Sequence, residues 1–311
     1  MTDNIPSKPG RFAPRYWPTW IYIGIIYFIS CLPWRLQLIF GKVLGRVLRA
    51  DKRLNQIART NISRCLPELS ESEADDLLRK YFSCQGIDLV ESLNIWASNG
   101  FKLAEQHLEV EGLEHIEAAL RQDRGVILIG SHFSNVDMGA VLMAYIGQKY
   151  NLFDFSVTYR PQKDPVFDGL MKRGRLRYFK QVIPSSELRP IVQELKNKHW
   201  VWFAPDMDID RKNAVFVPFM GIEAATTTAI SRLAKMTNAM VIPYRNTRTE
   251  NRFEYRVKIS PPLTGFPSDD IVADTTRINQ FIEEQVRSKP EAYLWILRRF
   301  KTRPPGESSF Y

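Results

Sequence analysis

The stretch from Gly125 to Asp137, Gly-Val-Ile-Leu-Ile-Gly-Ser-His-Phe-Ser-Asn-Val-Asp, limits what this chain can fold into more than any other. It begins as a short apolar, β-branched run held between Gly125 and Gly130, and that pattern predicts a buried strand. A small polar cluster follows, Ser131 to Asn135. Met138, Val141, Leu142 and Tyr145 then recur at helical spacing. The expected unit is a strand, a turn and a helix, with His132 where the strand ends and Asp137 in the first helical turn. In open α/β sheets that edge is where ligands bind.

On a continuous helix two residues five apart point about 140° away from each other. His132 and Asp137 can meet only if the backbone bends between them, and Ser134 or Asn135 acting as helix N-cap supplies such a bend. The pair would be an imidazole oriented by a carboxylate, able to take a proton from a substrate hydroxyl. The spacing alone is a weak signal; its strand–turn–helix setting gives it weight.

Elsewhere, Phe155 to Pro161, Trp200 to Ala204, Ala239 to Tyr244 and Phe253 to Ile259 read as strands, with Val215 to Phe219 as a short extended piece. Helices are expected over 35–60, 70–99, 164–173, 186–198, 224–235, 271–287 and 290–299. Strands alternating with helices predict an α/β sheet. The three cysteines, Cys31, Cys65 and Cys84, form neither a metal-type spacing nor a disulfide framework. A formal charge of +9 over 311 residues favours an anionic partner such as a membrane surface, a nucleic acid or an acidic protein.

Residues 1–16 are polar and carry Lys8, Arg11 and Arg15. Trp17 to Trp34 carries no charge and is marked by Trp17, Trp20 and Trp34. As a helix, such a segment would be about 27 Å long, near the roughly 30 Å of a hydrocarbon core, and interfacial Trp marks bilayer boundaries. The expectation is a membrane anchor that spans or lies in the interface, with the following Lys/Arg excess keeping the remainder on the cytoplasmic side. Lys42, Arg46, Arg49 and Arg53 share one helical face, either suited to anionic headgroups or simply solvated.

Taken together, these blocks amount to a resemblance. His132-Phe133-Ser134-Asn135-Val136-Asp137 is similar to the H-x4-D/E signature of glycerolipid-type acyltransferases. Tyr159-Arg160-Pro161, Gly174-Arg175-Leu176-Arg177, Ala204-Pro205-Asp206-Met207-Asp208, Ala224 to Thr228 and Leu294 to Pro304 extend it almost end to end. The chain resembles the late acyltransferases of lipid A biosynthesis in Gram-negative bacteria, nearest their lauroyl-transferring branch. It departs from that branch in having Asp rather than Glu at 137 and Met rather than His at 207. The F-P-E-G-T-R block of phosphatidate-forming enzymes is absent.

The resemblance implies a central mixed, mostly parallel sheet flanked by helices and preceded by an N-terminal hydrophobic helix. Residues 1–40 would be tail and anchor, and 41–311 the acyltransferase domain. It implies transfer of a fatty acyl chain, lauroyl by expectation, from acyl carrier protein to the 3-hydroxyl of a hydroxyacyl chain on the Kdo-bearing lipid A precursor. This would occur at the cytoplasmic face of the inner membrane, against phospholipid, with no nucleic acid, cofactor or metal. His132 would be the base and Asp137 its orienting acid. Arg160 would hold a lipid phosphate or the developing oxyanion, or pair with Asp164 or Asp206. Arg173, Arg175 and Arg177 would bind the phosphorylated headgroup or the carrier protein, or form a solvated face. Asp206 and Asp208 would orient those arginines or cap a turn. His107, His115 and His199 read as ordinary histidines. A thioesterase, a metal-dependent hydrolase using His132, Asp137, Asp206 and Asp208, and a non-catalytic binder are the competing classes.

Overall fold

The computed structural model describes residues 12–97, 100–152, 154–249 and 254–311. Lys8 and Arg11 of the expected polar tail, and Phe253 at the start of an expected strand, lie outside the described residues. Among the described residues there are nine strands: β1 (Leu108–Glu111), β2 (Val126–Ile129), β3 (Phe155–Tyr159), β4 (Val182–Pro184), β5 (Trp200–Phe203), β6 (Ala214–Phe219), β7 (Ile222–Thr227), β8 (Met240–Arg248) and β9 (Tyr255–Ile259). Seven of them form one sheet in the order β1-β9-β8-β2-β5-β3-β4, while β6 and β7 form a separate hairpin. Within the large sheet the β8–β9 pair is antiparallel and every other pair is parallel.

The apolar run that opens the analysis is the middle strand. β2 pairs with β5 on one side and β8 on the other, with Leu128 opposite both Trp202 and Ile242. Successive side chains of a strand point to opposite faces, and the core divides accordingly. Val126, Leu128, Trp200, Trp202 and Ile242 enter one apolar cluster; Ile127, Ile129, Val201, Phe203 and Val241 enter the other. A strand covered on both faces needs no polar alternation, hence the unbroken apolar run.

The helices are α1 (Trp17–Ser30), α2 (Trp34–Ala50), α3 (Lys52–Cys65), α4 (Glu71–Ala97), α5 (Gly100–His107), α6 (Leu113–Leu120), α7 (Val136–Lys149), α8 (Pro165–Arg175), α9 (Leu188–Lys196), α10 (Ala229–Thr237) and α11 (Ile271–Ser288). α6, α7 and α8 cover the first face, and α3, α9, α10 and α11 the second. The long α4 serves both, with Leu77, Leu78, Tyr81 and Phe82 in one cluster and Leu93, Ile95 and Trp96 in the other. It starts at a capping box: Ser70 N–H donates to Glu73 Oε2 at 2.8 Å while Glu73 N–H donates to Ser70 Oγ at 3.4 Å.

Four expectations are corrected. First, among the described residues no helix is long and apolar enough to cross a membrane. The uncharged segment is not one helix of eighteen residues. α1 has 14 residues, about 21 Å at 1.5 Å each, and the chain turns at Cys31 to Pro33 because proline fixes φ and cannot continue the helix. α1 also packs along its length: Thr19 Oγ1 donates to Asp164, Tyr22 lies 6.3 Å from Phe167, and Ile23 is buried. The single-pass anchor is therefore replaced by a short helix laid on α4 and α8. α2 runs straight through residues 40 and 41, where a domain boundary was expected.

Second, the stretch expected to be helical from Ala224 is the return strand of a hairpin. Met220 (φ 53°) and Gly221 (φ 75°) form a two-residue turn with both residues left-handed, the geometry that matches strand twist. Third, 290–299 is a single 3-10 turn, Pro290–Ala292, followed by the bridge residue Tyr293 and a turn closed by Leu297 N–H donating to Leu294 O at 3.0 Å. Its backbone groups are taken by another partner, the loop around His132. The single amphipathic helix expected over 35–60 is also divided, because Asp51 caps α3 by accepting from Leu54 N–H at 3.0 Å.

Candidate active site

Beyond Ile129 the chain leaves the sheet at its carboxyl edge. Gly130 N–H still donates to Phe203 O at 3.0 Å, and a Cβ at Gly130 would sit 2.5 Å from the Trp202 indole nitrogen, so glycine is required there. Ser134 then adopts φ 55°, and Asn135 caps α7 by accepting from Met138 N–H at 3.0 Å. This is the bend that the spacing of His132 and Asp137 demanded.

The bend is fastened from two directions. On one side, the C-terminal segment runs alongside it. Phe133 and Tyr293 form an isolated antiparallel bridge, Leu294 N–H donates to His132 O at 2.9 Å, and Ser134 N–H donates to Ala292 O at 2.6 Å. On the other, Asn135 donates to Asp88 O at 2.9 Å and Glu91 Oε2 at 3.2 Å, and Asn246 donates to Asn135 O at 3.2 Å. Glu91 is fully buried; it accepts from Tyr255 at 2.9 Å and lies 3.0 Å from Arg248. Burial pushes the carboxyls of Asp88 and Glu91 upward, and the Arg248 guanidinium pulls both back. Asp88 and Glu91, set among the apolar residues of the second half of α4, are the sequence signal for this network.

The carboxylate on the His132 ring is Asp206, not the expected Asp137. Asp206 Oδ1 is 2.8 Å from Nδ1, and Oδ2 accepts from the His132 backbone N–H at 2.8 Å. Strand register explains it. Ile129 pairs with Phe203, so the residues three further on, His132 and Asp206, leave the same edge side by side. Asp206 has no solvent exposure, whereas the His132 side chain keeps 20%. With Nδ1–H given to the carboxylate, Nε2 carries the lone pair. Burial lowers the affinity of the imidazole for a proton, but the charge of Asp206 and its hydrogen bond outweigh that, so the His132 pKa is raised. Asp206 is opposed by burial and favoured by His132, and its pKa is lowered.

Asp137 stands in the first turn of α7 and accepts from Arg175 Nε at 2.7 Å. Both side chains are mostly buried, and both act on the imidazole through space, Asp137 raising its pKa and Arg175 lowering it. Arg175 ends α8, with its guanidinium carbon 6.0 Å from the centre of the Tyr159 ring. The expected arginine cluster therefore splits. Arg175 turns inward while Arg173 and Arg177 stay exposed, as expected for residues about 200° apart on a helix.

Arg160 follows β3 at the same sheet edge as His132. It lines a cavity of about 680 Å³ with Pro18, Thr19, Tyr22, Lys163 and Phe167. Asp164 is occupied as the N-cap of α8 and by Thr19. Asp208 accepts from both the backbone N–H and the hydroxyl of Thr302 at 2.9 Å, which ties it to the C-terminal segment and not to the arginines. His115 lies against Glu114, and His199 between Asp154 and Glu194; the His107 side chain lies outside the described residues. Among the described residues no three His, Cys, Asp or Glu side chains converge as metal ligands would.

A buried carboxylate on the ring of a mostly buried histidine, at the carboxyl edge of a mostly parallel sheet, is an arrangement of the α/β enzyme class. Comparison with known proteins narrows that class. The chain belongs to the bacterial lipid A biosynthesis acyltransferases, whose family model matches residues 6–302. It is 35% identical over 314 residues to the lipid A biosynthesis lauroyltransferase of Escherichia coli (strain K12), covering 100% of both chains. It is equally 35% identical to the palmitoleoyltransferase of that organism over 300 residues, 96% of this chain and 95% of the relative. The myristoyltransferase of the same organism is 30% identical over 318 residues, 100% of this chain and 95% of the relative.

Proposed function

We propose that this acyltransferase moves a fatty acyl group from the thioester of acyl carrier protein to a hydroxyl of a hydroxyacyl chain on the Kdo-bearing lipid A precursor. The observation that supports this most is the Nδ1–carboxylate contact at 2.8 Å, which leaves Nε2 as the proton acceptor. Nε2 takes the hydroxyl proton as the oxygen attacks the thioester carbonyl. The C–S bond then breaks and the imidazolium returns that proton to the leaving thiolate. Asp206 holds the tautomer and steadies the imidazolium. Asp137 keeps Arg175 beside the reacting groups, where the remaining guanidinium N–H donors suit the oxyanion. Arg160, at the mouth of the larger cavity, is the group that would meet a lipid phosphate, with Arg173 and Arg177 on the outer surface beside it. No step calls for a cofactor.

Lauroyl is the donor chain we infer, on the strength of the end-to-end match to the lauroyltransferase; palmitoleoyl is the competing outcome. Seating at the membrane surface, on the cytoplasmic side of the inner membrane, is inferred from the unpartnered apolar faces of two helices. Ile21, Ile25 and Phe28 of α1 and Ile39, Val43 and Val47 of α2 are all exposed, a pattern for a protein lying in the interface. Mass spectrometry of lipid A from cells with and without the gene should show one secondary acyl chain lost. Free fatty acid without any change in lipid A mass would instead establish a thioesterase. His132→Ala should abolish transfer while leaving lipid binding in place.

A further inference from the structure

A second concavity lies where α2 crosses α4 and meets the segment after α11, on the far side of the Asp88–Glu91–Arg248 network from the Asn135 cap. It encloses about 510 Å³. The helices touch at glycine: a Cβ on Gly45 would stand 2.2 Å from Phe82 O, and one on Gly86 would stand 2.0 Å from Gly41 O. That close contact makes the floor. The rim is cationic, with Lys42, Arg46 and Arg49 from α2 and Arg79 and Lys80 from α4; Glu291 is the one acid among the lining residues. Arg248 lies at the bottom, 8% exposed. Some of this charge is answered locally. Asp75 pairs with Arg49, Asp76 pairs with Lys80 and Arg79, and Asp88 and Glu91 hold Arg248. Arg46 has no ion pair or hydrogen bond among the described residues, and it faces the opening.

What this cleft borders decides its ligand. At about 100° per residue, Ile39, Val43 and Val47 form one stripe of α2, and Lys42, Arg46 and Arg49 form a second along its edge. The apolar stripe points away from the protein, with Ile39 57% and Val47 62% exposed. A soluble protein's helix would turn its charges outward and its apolar residues in. Here an outward apolar stripe is bordered by cations that open into a cavity of headgroup size. The geometry points to a headgroup site for an anionic phospholipid: acyl chains lie against Ile39, Val43 and Val47, and the phosphate sits among Lys42, Arg46 and Arg49. This cleft shares no lining residue with the cavity that Arg160 lines, and the proposal rests on the membrane-surface seating inferred above.

Full-length protein is tested for sedimentation with phosphatidylcholine vesicles and with vesicles containing phosphatidylglycerol. Removing two cations should cost roughly thirty-fold in affinity for the anionic vesicles, at about 1 kcal/mol per basic residue at a charged surface. Lys42→Gln with Arg46→Gln is expected to show that loss and to bind neutral vesicles as before. Lys198→Gln with Lys235→Gln removes equal charge from exposed positions outside the cleft and should retain the preference. Ile39→Ser with Val43→Ser should weaken binding to both vesicle types. If the wild type sediments with neither, the seating itself fails. If it sediments with both and the cleft pair behaves like the distant pair, the seating stands and the headgroup site is overturned. Loss of acyl carrier protein capture by the cleft pair, with vesicle binding intact, overturns it in favour of a protein dock. Displacement by inorganic phosphate beyond that caused by sodium chloride of equal ionic strength overturns it in favour of a soluble phosphate.

Discussion

The chemistry turns on one ring nitrogen. Asp206 raises the proton affinity of His132 against the effect of burial, so its removal has a signed consequence. In Asp206→Asn the imidazole loses its compensating charge and titrates lower. The acid limb of the kcat/KM profile should move to lower pH while its plateau falls about 10²- to 10⁴-fold. An unshifted limb with a lower plateau would mean that Asp206 only holds the loop. Asp137→Asn should depress kcat with a smaller displacement of the limb, because its carboxylate is engaged by Arg175 at 2.7 Å and acts on the ring through space. His132 was legible in the sequence because its strand, turn and helix are contiguous. Its carboxylate was not, since Asp206 is 74 residues away and reaches the ring only through the pairing of β2 with β5. The sequence offers Asp206 as a partner for arginines or a cap for a turn, and the structure sets it on the His132 ring instead. The turn of Arg175 towards Asp137 depended on which side of α8 faced the sheet, and three arginines so close in sequence do not reveal that.

At the scale of elements, local signals served well wherever the determining forces were local. The capping box at Ser70, the strands between glycine and polar breaks, and the caps of α7 and α8 all follow from neighbouring residues. They failed where a distant partner decides. The segment after Pro290 has helical composition, but its backbone groups are satisfied by the His132 loop. The α1 segment has the composition of a bilayer span, but length and a proline decide against it. The crossing of α2 over α4 gives a stability prediction. A methyl group at Gly86 would stand 2.0 Å from Gly41 O and 2.4 Å from Gly45 N. Gly86→Ala should therefore destabilise by about 1–3 kcal/mol, read as a lowered midpoint in urea. The exposed Gly24, with nothing near its Cβ position, should accept alanine without that loss. An unchanged midpoint for Gly86→Ala would mean the helices can separate freely.

For the molecule as a whole, the carboxyl edge that carries His132 and a pair of helices with exposed apolar residues belong to one body. At 14 residues α1 is shorter than the roughly 20 that a bilayer crossing needs, so positions before and after it are expected on the same side. In sealed inner-membrane vesicles, Phe12→Cys and Arg53→Cys should react together with an impermeant maleimide, or be protected together. Reaction of one without the other would restore a crossing. The general α/β plan was readable from the alternation of strands and helices. The direction of β9, the short β4 and the return strand β7 were not, since each is defined by its neighbour more than by its own residues.

The pairing of Phe133 with Tyr293 carries a consequence for biosynthesis. A ribosome that has made everything up to α11 has already produced the imidazole, both acids and the arginine. It has not yet produced the clasp that holds their loop in shape. The loop thus takes its full set of backbone partners only once the segment after α11 has been made, and a polypeptide cut before Pro290 is expected to lack acyl transfer.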